Sequence, residues 1–189
     1  VKACSSKKHP RVLDLGCGIG RHSLLFAKEG FEVTALDSSE QALGELKNKV
    51  EKLNLNIEIV KGNYLEPIFK SNSFDIILSY NVIYHGHRED FEKAINLCKK
   101  YLETDGILFF TCPTRDDGKY GNGKKVAPHT YETMNSVHPG DIHYFANESD
   151  IRQLVEDFSI ISLNKNEHYW NNDGTKQFSS YWELIVKNE

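Results

Sequence analysis

Cysteine is scarce and poorly placed for cross-linking. The 189 residues hold four, Cys4, Cys17, Cys98 and Cys112, widely separated and without a C-x-x-C pair. Disulfide frameworks belong to short secreted chains and structural zinc sites cluster their ligands, so the thiols are read as reduced. Long apolar runs are missing as well. None approaches the roughly 18 residues of a membrane span, and no basic-apolar-small signal peptide opens the chain. There is no excess of positive charge either. Lys and Arg total 23 against 27 Asp and Glu, a net charge of -4. Neither a nucleic-acid backbone nor an anionic membrane is therefore indicated as partner. The expected setting is cytoplasmic. Because the chain opens with Val1 rather than Met, we expect the true N-terminus to be absent.

What is present suffices for a conventional core. Hydrophobic residues make up 39%, with 10 Phe and 9 Tyr, and a chain of this length buries about 70% of its unfolded surface. Residues 1–189 read as a single domain in which strands and helices alternate. Arg11 to Leu15 is a short apolar strand, Gly20 to Glu29 a helix ended by Gly30, and Glu32 to Leu36 a second strand. Ser38 and Gln41 have capping-box spacing at the head of the next helix, whose Ala42, Leu43, Leu46, Val50 and Leu53 share one face. Ile57 to Lys61 and Phe74 to Tyr80 follow as strands. Phe91, Ala94, Ile95, Cys98, Tyr101 and Leu102 form the clearest helical stripe, and Ile107 to Thr111 the most apolar strand. The pattern breaks down from Pro113 to Phe145. Asn147 then caps a helix, and Phe158 to Lys165 and Ser180 to Lys187 are two last strands joined as a hairpin. Such alternation implies βαβ units and a mainly parallel sheet covered on both faces. Ligands bind these sheets at the carboxyl ends of the strands, where the order reverses.

The most informative stretch is Val12-Leu13-Asp14-Leu15-Gly16-Cys17-Gly18-Ile19-Gly20-Arg21. Glycines there, between a strand and a helix, let the chain turn tightly and a ligand lie against the backbone. Asp37 closes the second strand, where an ionised carboxylate can accept from two ribose hydroxyls. The pattern points to a nucleoside. Its spacing is G-x-G-x-G rather than the dinucleotide G-x-G-x-x-G, and a P-loop Lys-Ser/Thr is absent.

These residues resemble the class I S-adenosylmethionine-dependent methyltransferases. Val12 to Gly20 is similar to that family's first motif and Val33-Thr34-Ala35-Leu36-Asp37-Ser38-Ser39 to its acidic loop. Lys61-Gly62-Asn63-Tyr64 looks like the third motif, with Asn63 where Asp is more usual, and Phe74 to Tyr80, followed by Val82-Ile83-Tyr84-His85, like the fourth. Leu102 to Leu108 resembles the turn and strand that follow. A narrower resemblance is to tellurite-resistance-type enzymes. The resemblance implies a Rossmann-like α/β fold with helices on both faces. Its seven-stranded sheet would be mostly parallel, the last strand antiparallel and inserted between the fifth and sixth. It implies S-adenosylmethionine as cofactor. Gly16, Cys17 and Gly18 would line the methionine part through their backbone, Asp14 and Gly20 would be further cofactor-binding residues of the same motif, and Arg21 would face the carboxylate or solvent. Asp37 and Ser38 would lie at the ribose, and Asn63 and Tyr64 at the adenine. Tyr80 would sit near the sulfonium. Asn63 also reads as a plain turn residue, and Tyr80 as a packed strand-end aromatic.

Methyl transfer from a sulfonium is an in-line displacement needing mainly alignment and exclusion of water. A base is required only for a protonated nucleophile. His85, just past the fourth strand, is the catalytic candidate, the alternative being a packed or solvated loop residue; Tyr84 and His87 would help shape the pocket. The stretch 113–145 reads as a substrate-side lid or insertion, since long connections in compact domains are usually functional. There His143 and Tyr144 are further substrate-side candidates, His143-Tyr144-Phe145 is expected to dock on the core, and Lys119 to Lys125 to be a solvated mobile tip. His138, Asp141 and His143 are a conceivable metal set, but their spacing fits no firm zinc pattern and no metal is expected. The expected function is methyl transfer to a small-molecule acceptor. The alternatives are a non-catalytic S-adenosylmethionine-binding module and, further off, a nicotinamide-dependent oxidoreductase.

Overall fold

The computed structural model describes residues 9–133, 140–172 and 174–189. Cys4 and His138 lie outside them. The first half alternates as the sequence pattern requires: β1 (Arg11–Leu15), α1 (Arg21–Lys28), β2 (Glu32–Asp37), α2 (Glu40–Leu53), β3 (Ile57–Lys61), β4 (Phe74–Ser79) and α3 (Arg88–Tyr101). Then come β5 (Leu102–Pro113), β6 (Lys124–Ala127), β7 (Thr130–Glu132), β8 (Ile142–Tyr144), α4 (Glu148–Leu154), β9 (Phe158–Asn172) and β10 (Thr175–Asn188).

Seven strands form one sheet in the order β3-β2-β1-β4-β5-β10-β9. β1 to β5 pair in parallel, while β10 runs antiparallel to both β5 and β9. The last strand is therefore inserted before the sixth and reversed, as the family resemblance implies. Alternation along β2 divides the core in two. Val33 and Ala35 join Leu43 and Leu46 of α2, whereas Leu36 joins Phe91, Ile95 and Cys98 of α3 and Ile151 of α4. Helices thus cover both faces, and the order reverses between β1 and β4. That switch point is where a ligand cleft belongs.

Four details differ from the sequence expectations. The N-cap of α2 is Ser39, whose hydroxyl accepts from the Ala42 N–H at 3.2 Å, rather than Ser38. The Asp37 carboxylate takes the Ser39 N–H that a capping-box side chain would have claimed. β9 and β10 begin or end well beyond the predicted limits because polar residues such as Asn164 to His168 pair in register with Glu183 to Ser179. The stretch after Pro113 also contains a three-stranded sheet, β6-β7-β8. Strands of three or four residues carry too little alternation to be read from sequence. Lys119 to Lys125 is solvent-exposed apart from Tyr120, as expected, but it is tethered: the Tyr120 hydroxyl lies 2.7 Å from His129 Nδ1, and Lys124 and Lys125 pair with Glu132 and Tyr131.

Candidate cofactor and acceptor site

The turn after β1 folds back on β2. The N–H groups of Gly16 and Cys17 both donate to the Leu36 carbonyl, at 2.8 and 3.0 Å. The Gly18 N–H donates to Asp37 Oδ2 at 2.8 Å, and the Ser39 N–H to Asp37 Oδ1 at 2.8 Å. The Asp37 carboxylate therefore anchors the loop as well as facing the cleft, and each oxygen keeps acceptor capacity for a hydroxyl. Gly16 adopts φ +73°, and a Cβ there would come within 2.4 Å of Val82. Only glycine gives this close approach.

Beside this turn lies a cavity of about 510 Å³, lined by Gly16, Leu36, Asp37, Ser38, Gly62, Asn63, Tyr64, Leu65, Asn81, Val82 and His85. Its size is that of a small-ligand site. A larger cavity, about 720 Å³, opens at the opposite end of the strands around Arg11, Glu32 and Ser73. It lacks the convergence of glycine turn and strand-end acid, and chemistry in such sheets belongs at the other edge.

Several expected cofactor residues support the turn instead of lining the cavity. Asp14 is 2% exposed and accepts from the Ser23 hydroxyl at 2.5 Å beneath the loop; burial raises its carboxyl above the usual range. The Cys17 thiol is pushed up to about 12 by burial and by the charges of Asp14 and Asp37, so it stays protonated. Gly18 and Gly20 shape the turn, with φ of 52° and 82°. Asn63 shows the turn role, its Oδ1 accepting from the Leu65 N–H at 2.9 Å, yet it also lines the cavity. The Tyr64 hydroxyl donates to the His85 carbonyl at 2.7 Å and so fixes the loop after β4.

A second cavity, about 310 Å³, adjoins the first through Asn81, which lines both. Tyr80, Tyr84, Pro113, His143 and Phe145 form one side, and His168, Trp170 and Tyr181 of the β9–β10 hairpin another. Arg21 is exposed with its guanidinium 5.2 Å from the centre of the Tyr80 ring. Asn81 holds a left-handed φ of 59°. Its N–H donates to Thr111 Oγ1 at 2.8 Å, and the Thr111 hydroxyl donates back to its Oδ1 at 2.9 Å. Burial drives the Tyr84 phenol well up and pushes His143 down to about 4, the neighbouring His85 adding to the latter. His143 is thus a neutral imidazole at ordinary pH.

Two substrate-side expectations are corrected. Tyr144 is 1% exposed and packs edge-on against Phe91 of α3, away from both cavities. Alternation along β8 puts His143 and Tyr144 on opposite faces, so only one of them can look into the site. His87 caps α3, its N–H donating to Asp90 at 2.9 Å, and lines neither cavity.

The sequence matches the methyltransferase-domain family over residues 12–106, just over half of the chain. The chain belongs to that family. This methyltransferase domain is 30% identical, over 160 residues, to a ubiquinone biosynthesis O-methyltransferase of Coxiella burnetii, covering 78% of the chain and 65% of the relative. It is 34% identical over 108 residues to a probable S-adenosyl-L-methionine-dependent methyltransferase, TehB, of Haemophilus influenzae, covering 57% and 37%. The chain thus spans less than two thirds of the length of these relatives. The crystal structure of that TehB superposes with a TM-score of 0.74 at 22% identity over 100% of this chain and 60% of the other. A Burkholderia thailandensis 1,6-didemethyltoxoflavin-N1-methyltransferase, solved with its substrate and S-adenosylhomocysteine, superposes at 0.72 and 19% identity over 95% and 71%. At such identities the two structures establish a shared fold.

Within the methyltransferase domain, Asn81, His168, Trp170 and Tyr181, which line the cavities, and Thr111, which braces Asn81, are not singled out by the sequence pattern. Asn81 carries a usable signal, because it directly follows the fourth strand at the carboxyl edge. His168 and Trp170 carry none, since they look like, and are, exposed residues of a polar strand whose place beside the second cavity is set by its pairing with β10.

Proposed function

We propose that this domain transfers a methyl group from S-adenosylmethionine to a small-molecule acceptor. The observation that carries the reading is the pair of adjoining cavities that share Asn81, one flanked by Gly16 and Asp37, the other walled by aromatic rings and His143. The residues of the first suit the cofactor: a close glycine turn, a strand-end carboxylate for ribose hydroxyls, and the Asn63 amide at the far side for the base. When bound, the cofactor supplies an activated methyl on its sulfonium. The chain's part is alignment and dryness. Tyr80, Tyr84, Phe145 and Tyr181 exclude water from the acceptor side, and the Asn81–Thr111 bonds hold the seam rigid. His85 lines the first cavity at this seam, which supports it as the group nearest a reacting atom.

A cavity of about 310 Å³ admits a small acceptor rather than a nucleic-acid strand, and the net charge of -4 agrees. One named relative is an O-methyltransferase of ubiquinone biosynthesis and one structural neighbour holds 1,6-didemethyltoxoflavin, which supports a small molecule as the substrate class. We place the protein in the cytoplasm because Cys17, Cys98 and Cys112 are buried free thiols. No helix among the described residues is long and apolar enough to cross a membrane.

Calorimetry with S-adenosylhomocysteine tests the reading. Binding is expected, weakened by Asp37→Ala roughly 30- to 100-fold, about 2–3 kcal/mol for charge-assisted bonds to two hydroxyls. A folded protein that does not bind it would end the proposal. Binding without turnover over oxygen, nitrogen and sulfur acceptors would leave a cofactor-binding module.

A further inference from the structure

Strand pairing brings His85 together with Asp141 and His143, which lie 56 and 58 residues further along the chain. The loop after β4 pairs with β8: the Gly86 N–H donates to the Ile142 carbonyl at 2.7 Å and the Tyr144 N–H to the Tyr84 carbonyl at 3.0 Å. His85 and His143 stand directly opposite in this antiparallel bridge, so their side chains share a face. Asp141, two residues before His143, projects to that same face. One ligand atom from each of His85, Asp141 and His143 lies within 4.8 Å of the other two.

From this convergence we propose that His85, Asp141 and His143 bind one divalent first-row transition metal ion at the seam between the cavities. Tetrahedral donors at about 2.0–2.2 Å from a common ion lie about 3.3–3.6 Å apart. Side-chain rotation that draws the widest pair in by up to about 1.5 Å closes the set. The second observation is an orphan: His143 is 5% exposed, and its Nε2 has no hydrogen-bond partner among the described residues. Leaving a buried polar nitrogen unsatisfied costs about 1–3 kcal/mol. A metal ion uses that lone pair.

A base dyad would need one imidazole and one carboxylate. Here a second imidazole stands 4.4 Å from the first, ring centre to ring centre, inclined at 76°. Two imidazoles and a carboxylate suit zinc and its first-row neighbours better than magnesium or calcium. Three protein ligands also leave a coordination position open, as at catalytic rather than structural sites. That position adjoins the cavity lined by His143. On the methyl-transfer reading it would hold an acceptor oxygen or sulfur in deprotonated form, the proton leaving to solvent.

The test uses the full chain after chelator treatment. Titration with Zn²⁺ should show one ion per chain, and Co²⁺ should give the visible absorption of a low-coordinate site. Asp141→Asn and His85→Gln should each weaken Zn²⁺ by at least the roughly 10- to 100-fold that loss of an outer-shell partner costs. His143→Ala should abolish binding. Because His143 is buried and its variant can misfold, the half-exposed Asp141 is the decisive position. No stoichiometric binding, or equal affinity in Asp141→Asn, overturns the site. Calorimetry with S-adenosylhomocysteine on the same preparation separates the two proposals. Cofactor binding without zinc sinks the metal site alone, and zinc without cofactor binding sinks the methyl-transfer reading alone.

Discussion

The two adjoining cavities are built in different ways. Around the glycine turn, polar groups find partners close by in sequence: the Gly18 N–H reaches Asp37, 19 residues on, and the Ser39 N–H reaches the same carboxylate two residues back. Around the acceptor cavity the partners are remote. The Thr114 hydroxyl donates to Ser180 Oγ, 66 residues away, and the Trp182 indole donates to the Ala146 carbonyl, 36 residues away. The first cavity is a backbone device set by two strand-to-helix turns. The second is assembled from side chains delivered by four segments, the loop after β4, the end of β5, β8 and the β9–β10 hairpin.

Substitutions at the turn should break the first construction hardest. Gly16→Ala meets both a left-handed φ and Val82 methyls within 2.5 Å, which together cost about 3 kcal/mol. Gly18→Ala, at φ +52° with nothing within 4 Å of its new Cβ, costs about 1 kcal/mol from conformation alone. Denaturant midpoints measure the gap. Equal losses would mean that Val82 does not wall the turn.

Tyr64 links the two regions. Tyr64→Phe removes its bond to the His85 carbonyl, about 1 kcal/mol. Amide exchange of Gly86 and its neighbours should quicken about fivefold, while S-adenosylhomocysteine affinity holds. Unchanged exchange would show that the backbone pairing with β8 alone fixes this loop.

Asp14 gives the smallest effect and sharpens the boundary between support and contact. Burial raises its carboxyl, so the native state binds a proton more readily than the unfolded chain does. Its ionisation therefore lowers stability as pH rises through the native value. Asp14→Asn should melt slightly higher than the wild type at neutral pH, and the gain should fade as pH falls into the ordinary carboxyl range. S-adenosylhomocysteine affinity should barely move. A large loss of affinity would make Asp14 a direct ligand contact.

The contrast between the cavities also explains what could be read beforehand. Gly16 and Asp37 were legible because each stands where a strand turns into a helix, and Asn63 and Tyr64 because they directly follow the third strand at the same edge. Asp14 and Cys17 were legible as members of the turn but not as its buried underside, since nothing in the motif says which way a side chain points. Tyr144 and His143 are both candidates in sequence, but a strand sends neighbours to opposite faces, and His143 is the one that lines the cavity. The β6-β7-β8 sheet was invisible because strands of three or four residues carry almost no periodicity.

Sequence alone determined the parallel half of the sheet, the switch point and the carboxylate at the tip of β2, because these depend on local hydrophobic period and on glycine where no side chain fits. Only the tertiary structure decided that His85 faces His143 and Asp141, that Asn81 joins two cavities, and that His168 and Trp170 close the second. Those meetings depend on strand register between segments far apart in the chain, and a shift of one residue would turn every one of these side chains to the other face.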